Sequence, residues 1–375
     1  LDWPAIRLEY GRQLPDAKDE AAAFALMEQM LARLGQSHMV LVPPRKQLVG
    51  EPRTSAGTGD GRVPLAARVI DGVAVVVDPA LDGHESGIPA GAQLLAVGEH
   101  EVAPLLESVA DHFQRDVERT FAVRRAIDGW LHCPPKDQQT IRYQALGAKA
   151  PKTRKVRCRT IEAERLSLGN LKDVPATVEH RMLPGTSVGY VHFDVWMMPL
   201  VPKIEAALAE LRGQGMTALV LDLRGNPGGV GTMVVPLGRR LLPEAKSLGV
   251  MHMRDGDLTF NVPSVDDPFT GPMALLVDEG TASTSEIFAQ AFQDLGRAKV
   301  YGAVPSQGAA LPSVIEQLPG GGMFQFVVAD YKSPAGVLVE GKGVIPDTVV
   351  PESREDFAKG RDPVLDQAVA DLRGS

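Results

Sequence analysis

The sequence predicts an α/β protein: a layered strand–helix core in its C-terminal half, preceded by a small β-rich module. Three observations lead there. From about residue 186, apolar runs alternate with helix-like stretches in the order VGYVHFDV, LVPKIEAALAELRGQG, TALVLDLRG, PMALLVDEG and TSEIFAQAFQDLG, and such alternation builds α/β domains. TALVLDLRG and PMALLVDEG are almost continuously apolar, as strands covered on both faces must be. Between about 62 and 165 the pattern is different. Short strand candidates (AARVI, VAVVVD, QLLAVG) sit between glycines and prolines, 107–125 is more helical, and 139–159 returns to strand-like alternation.

The remaining elements follow from local signals. AAFALMEQMLARL (22–34) reads as a helix stopped by Gly35, and MVLVPP (39–44) as a short extended segment. Residues 45–61 are polar and end in GTGDG, a loop or linker lacking the strand-then-helix context of a dinucleotide site. A helix is expected roughly over 232–242, a strand over 324–332 (FQFVVADYK), and a last helix in PVLDQAVADLRG. The expected organisation is an N-terminal helical segment over 1–60, the β-rich module over 61–165, a linker over 166–185, and the core with its C-terminal helix over 186–375.

Composition removes several function classes. Charged residues make up 23% and hydrophobic ones 44%, ordinary values for a globular chain. The 38 glycines and 29 prolines form no periodic run, which excludes collagen-like repeats. A formal net charge of -8 and the absence of a long Lys/Arg block argue against nucleic acid, since the densest basic stretch, Lys152–Arg159, is interrupted three times. No apolar run reaches the ~18 residues of a membrane span. No His-Glu-x-x-His or Cys-x-x-Cys occurs, so neither metal nor cofactor is expected. Cys133 and Cys158 are compatible with one disulfide or with two buried thiols.

Four stretches carry candidate chemistry. In LLVDEGTASTSEIFAQAF (275–292) an apolar strand ends, Gly280 permits a sharp turn, and small polar residues open a helix. A serine there stands on rigid scaffold beside unpaired N–H groups that favour an oxyanion. Thr281, Ser283, Thr284 and Ser285 are equally good helix caps, and Ser283 with Glu286 fits a capping box. In LVLDLRGNPGGVG (219–231) the strand breaks at Gly225, and Gly228-Gly229 can expose N–H donors or form an ordinary turn. Ser37-His38, where a helix hands over to a strand, reads as a general base with an orienting hydroxyl or as a surface pair. Glu340, in VLVEGKGVIPD (337–347), reads as a carboxylate that orients a histidine or as a charged turn. His192 is the rival base.

The chain resembles the tail-specific, or carboxyl-terminal processing, serine peptidases. The resemblance lies in GYVHF (189–193), LVLDLRGNPGG (219–229), VDEGTASTSEIFAQAFQDLGRAKVYG (277–302) and DYKSPAGVLVEGKGVIPD (330–347), in that order. It is specific over about 186–350 and weaker before. It implies a crotonase/Clp-like layered peptidase core, and a diverged PDZ-like module at 61–165, although no Gly-Leu-Gly-Phe loop occurs there. Ser283 matches the family's nucleophile, the backbone of Thr284 with that of Gly228 or Gly229 its oxyanion hole. The processing branch uses a Ser/Lys dyad, and Gly308 stands at the lysine position, with no lysine between Lys299 and Lys332. A second branch, resembling the tricorn core, uses Ser-His-Ser-Glu. LGQSH (34–38) and VEGKGVIPD match it, which implies Ser37, His38 and Glu340. The resemblance thus implies a serine endopeptidase or processing peptidase with His38 as base, acting on peptide or unfolded protein in the periplasm or outside the cell. An esterase-type acyl hydrolase and an inactive peptide-binding protein are the alternatives, and a homo-oligomer is compatible with the sequence.

Overall fold

The computed structural model describes residues 1–43, 61–81, 83–168 and 171–374. The glycine-rich loop expected at 45–61 lies, except for Gly61, outside the described residues.

Helices α1 (Trp3–Gln13) and α2 (Glu20–Ala32) form an N-terminal hairpin, capped by Asp2 and Asp19, whose side chains accept from Ala5 N and Ala22 N. The chain then turns through Ser37-His38 into the strand Val40–Val42. That strand pairs antiparallel with Met323–Val327, so the N-terminal segment reaches the C-terminal half.

The following segment forms a sheet in the order Lys152–Arg157, Gln138–Gln144, Gln93–Val97, Val73–Asp78, Ala66–Ile70. Helices α3 (Val102–His112) and α4 (Asp116–Leu131) accompany it. Leu65, Val76, Leu94, Ile127 and Leu131 close a core separate from that of the C-terminal half. Cys133 and Cys158 are bridged, stapling the end of α4 to the strand region before Arg159.

The C-terminal half is built on six strands: Val178–Met182, Val188–Phe193, Ala218–Asp222, Met273–Leu276, Lys299–Gly302 and Thr348–Val349. The first pair is antiparallel and the rest are parallel. Because side chains alternate along a strand, Val191, Phe193, Leu219 and Leu221 face one layer. There α5 (Val201–Gly213), α6 (Val234–Leu241) and α7 (Thr284–Asp294) pack against them. Val188, Tyr190, Val220 and Leu276 face the other layer. After the short α8 (Arg354–Ala358), α9 (Pro363–Arg373) covers that face with Val364 and Ala368.

Three expectations need correction. Within the stretch expected as a linker at 166–185, Val178–Met182 is an edge strand of the central sheet, and Glu164–Leu168 pairs with Leu171–Ala176. The helical stretch at 107–125 is two helices, α3 and α4, separated by a turn. The single strand expected at 324–332 is two, in different sheets: Met323–Val327 pairs with Val40–Val42, whereas Ala329–Lys332 pairs with Lys246–Met253. Apolar periodicity gives a strand's existence but not the bend at Val328 that sends it to a second partner.

Candidate active site

The central sheet delivers two neighbouring turns to one end. Strand Met273–Leu276 runs into the turn 277–282 and then α7, which places Ser283 at the helix entry. Its φ of 54° and ψ of -119° are strained for a residue with a side chain. The Ser283 N–H donates to Ala309 O and to Glu286 Oε2, both at 2.9 Å.

Strand Ala218–Asp222 runs into the second turn, 223–230. Asn226 ties the two together: its carbonyl accepts from Ala282 N (3.1 Å) and Ser285 Oγ (3.1 Å). Gly228 (φ 94°) lies against Ser283, and a Cβ on it would sit 2.6 Å from Ser283 Cβ and 2.9 Å from Thr284 N. The two glycine amides differ. Gly228 N–H donates to Asn226 Oδ1 at 3.0 Å, whereas the amides of Gly229 and Thr284 have no protein acceptor among the described residues. Thr284 Oγ1 donates to Gly229 O (3.0 Å), a second tie between the two turns.

The structure brings Ser37, His38 and Glu340 into direct contact. Ser37 N–H donates to Glu340 Oε1 and Ser37 Oγ to Oε2, each at 3.0 Å, and Ser37 Oγ lies 2.8 Å from His38 Nδ1. A hydroxyl that gives its proton to a carboxylate must accept from Nδ1–H. The imidazole therefore carries its proton on Nδ1 and its lone pair on Nε2. Burial pushes the His38 pKa below the ordinary imidazole value, and Glu340 pulls against it. Burial thus favours the neutral imidazole.

This cluster adjoins the Ser283 turn through two consecutive residues. Ala309 O accepts from Ser283 N, and Ala310 N donates to Glu340 Oε2 at 2.9 Å. No hydrogen bond joins His38 to Ser283 among the described residues. Such bonds are commonly long before substrate arrives. His192 is placed elsewhere: its Nδ1 meets Asp222 O at 2.9 Å on the neighbouring strand.

Position 308 has no room for a lysine. Gly308 has φ 75°, and a Cβ there would lie 2.8 Å from Gly343 N, 3.0 Å from Lys342 N and 2.6 Å from Arg115 Nη1.

Glu286 is more than the capping residue its spacing suggests. Fully buried, it accepts from Ser306 Oγ (2.6 Å), Gly308 N (2.6 Å), Ala309 N (2.9 Å) and Ser283 N (2.9 Å). Burial pushes its carboxyl up to about 7 against the pull of those donors. The capping-box spacing is its only sequence signal. Asn226 gives no signal beyond its place in a turn.

Solved structures share this architecture. The photosystem II D1 C-terminal processing protease superposes with a TM-score of 0.57 at 22% identity, covering 97% of this chain and 92% of that one. Mature CPAF with lactacystin superposes with a TM-score of 0.63 at 13% identity, covering 99% and 92%. The fold is therefore shared with these two proteins. In sequence, residues 187–350 match the model of peptidase family S41. The carboxyl-terminal-processing protease of Synechocystis is 32% identical over 191 residues, 50% of this chain but only 44% of that protein. That of Picosynechococcus is 27% identical over 360 residues, 95% of this chain and 79% of the relative. Over residues 187–350, somewhat under half of its length, the chain is thus similar to peptidase family S41, and the relatives it matches are carboxyl-terminal-processing proteases.

Proposed function

We propose that this chain is a processing peptidase that hydrolyses peptide bonds through an acyl-enzyme on Ser283. The observation that carries this reading is the Glu340–Ser37–His38 relay, built beside a strained serine whose neighbours Gly229 and Thr284 have open amides. The names of its relatives, carboxyl-terminal-processing proteases, support the same class.

Ser283 Oγ attacks the substrate carbonyl carbon while His38 Nε2 takes its proton. The carbonyl oxygen becomes an oxyanion and receives the N–H groups of Gly229 and Thr284. Ser37 and Glu340 hold the ring and favour its imidazolium form. The intermediate collapses, the C–N bond breaks, and His38 returns the proton to the departing amine. Water, activated by the same nitrogen, then releases the acid and regenerates Ser283. Gly308, closed to any side chain, favours this histidine relay over a serine–lysine dyad.

Residues 61–165 are read as a diverged PDZ-like substrate-binding module and 1–60 as the segment supplying the base. The substrate is peptide or unfolded protein. A periplasmic or secreted location is supported by the Cys133–Cys158 disulfide, which persists in oxidising compartments. No helix among the described residues is long and apolar enough to cross a membrane.

The test is intact-mass analysis after a fluorophosphonate probe, with wild type, Ser283→Ala and His38→Ala compared. One adduct in wild type, absent in Ser283→Ala and slow in His38→Ala, supports the reading. Parallel peptide and ester panels separate peptidase from esterase. A folded wild type that takes no adduct returns the protein to the class of inactive peptide binders.

A further inference from the structure

The two turns that frame Ser283 enclose a slot that neither fills. A Cβ on Gly225 would lie 2.6 Å from Arg124 Nη2, and a Cβ on Gly280 would lie 2.7 Å from Arg124 Nη1 and 2.9 Å from Gly225 Cα. Gly225 lies in the turn that carries Gly229, and Gly280 stands three residues before Ser283. The absent side chains leave space for one guanidinium, and it arrives from α4, outside the region that matches the peptidase family.

Arg124 is bonded into that slot. Its Nη1 donates to Asp278 Oδ2 at 2.6 Å and to Glu279 Oε1 at 3.2 Å. The other oxygen of Asp278, Oδ1, accepts from both turns at once, from Gly225 N at 2.8 Å and Gly280 N at 2.9 Å. One carboxylate thus clamps the two turns on one side and the arginine on the other. Arg68, from the strand Ala66–Ile70, completes the cluster through two bonds to Glu279 (3.0 and 2.8 Å) and one to Glu352 (3.0 Å). Asp278 and Glu279 are buried. Without Arg124, Asp278 would lose its shortest charge partner, and buried charge left unpaired reorganises its surroundings.

We propose that Arg124 is a positioning residue for the reaction: it fixes the turn bearing the Gly229 amide against the turn bearing Ser283 and Thr284. Acylation then requires α4 to be docked on the core. This rests on the peptidase reading above. Arginine suits the task because its planar fork lays Nη1 against Gly280 and Nη2 against Gly225, a flat shape that a lysine ammonium lacks.

The test compares wild type, Arg124→Gln, Arg124→Lys and Arg124→Ala. Arg125→Gln serves as control, because that guanidinium lies over the Phe121 ring, 5.7 Å from its centroid. The readouts are the rate of fluorophosphonate labelling at Ser283, kcat and KM on a peptide substrate, and the thermal transition. Expected is a fall of about 10²-fold in labelling and kcat for all three Arg124 variants, the scale of one misplaced oxyanion donor. KM changes little, Arg125→Gln behaves as wild type, and methylguanidinium partly restores Arg124→Ala. Wild-type labelling rates in a folded Arg124→Gln or Arg124→Lys overturn the proposal. So does a loss that methylguanidinium does not relieve and that tracks a lowered thermal transition, since that marks a merely structural role. An unlabelled wild type instead sinks the peptidase reading itself.

Discussion

Ser37 and Glu340, 303 positions apart, are joined by two hydrogen bonds, backbone N–H to Oε1 and hydroxyl to Oε2, each at 3.0 Å. The doubled contact fixes both the loop and the rotamer of Ser37, so the hydroxyl has one acceptor to give its proton to and one nitrogen to receive from. A tautomer is thereby chosen by a residue at the far end of the chain.

Glu340→Gln is expected to break that choice. The amide can still accept, but it can also present N–H₂ to Ser37 Oγ and reverse the relay. kcat should fall by about 10²–10⁴-fold, the range seen when a base loses its orienting partner, with little change in KM. Steady-state kinetics on a fluorogenic peptide check this, with Ser37→Ala expected to act in the same direction.

The pH–rate profile should place the acid limb of kcat/KM below the ordinary imidazole pKa. Burial lowers the His38 pKa, and the proposed base is the neutral imidazole, so activity is expected to rise with pH through that lowered value. A limb well above 6.5, the ordinary imidazole value, would sink His38 as base.

Stability should show a pH dependence that Glu286 creates. Its folded pKa, about 7, is above the ordinary carboxyl value of 4.5. The native state therefore holds a proton that the unfolded chain has lost between those values. This contribution is full below about 4.5 and is lost as pH rises through 7. Denaturant unfolding across pH 4 to 8 (roughly the window set by the linkage) should show wild type losing more stability than Glu286→Gln, which cannot titrate. Equal slopes would refute it.

Gly308→Lys should not install a lysine base. The added side chain meets Gly343 N and Lys342 N in a backbone conformation that disfavours side chains. The variant is expected to be destabilised, and it should not rescue His38→Ala. Labelling of Ser283 in the double variant measures this directly.

Removing the disulfide should cost stability without touching chemistry. Cys133 and Cys158 are 25 residues apart, and a loop of that size is worth about 3.5 kcal/mol by chain entropy. Cys133→Ser/Cys158→Ser should unfold at lower denaturant concentration, with Ser283 still labelled under native conditions.

Much of the fold is legible in the sequence where the signal is local. The strands Ala218–Asp222 and Met273–Leu276 are apolar almost throughout because both faces are covered. The glycines at 228 and 229 mark backbone angles that side chains resist. Glu286 is hidden because a capping box accounts for its spacing fully, and its bonds to 306–309 depend on a loop returning from elsewhere. Arg124 is hidden more deeply, since an arginine in a mixed-charge helix is the ordinary solvated face. Only the glycine-walled slot opposite gives it meaning.

The sequence by itself determined the alternation of strands and helices, the turn glycines and the serine at a helix entry. These follow from periodicity and local backbone sterics, which act over a few residues. The tertiary structure alone decided that Gly229 rather than Gly228 has an open amide, that Ser37 reaches Glu340, and that Arg124 enters the slot at Gly225 and Gly280. Each depends on which groups are already bonded when distant segments meet, and hydrogen-bond partners across hundreds of residues are fixed by packing, not by spacing.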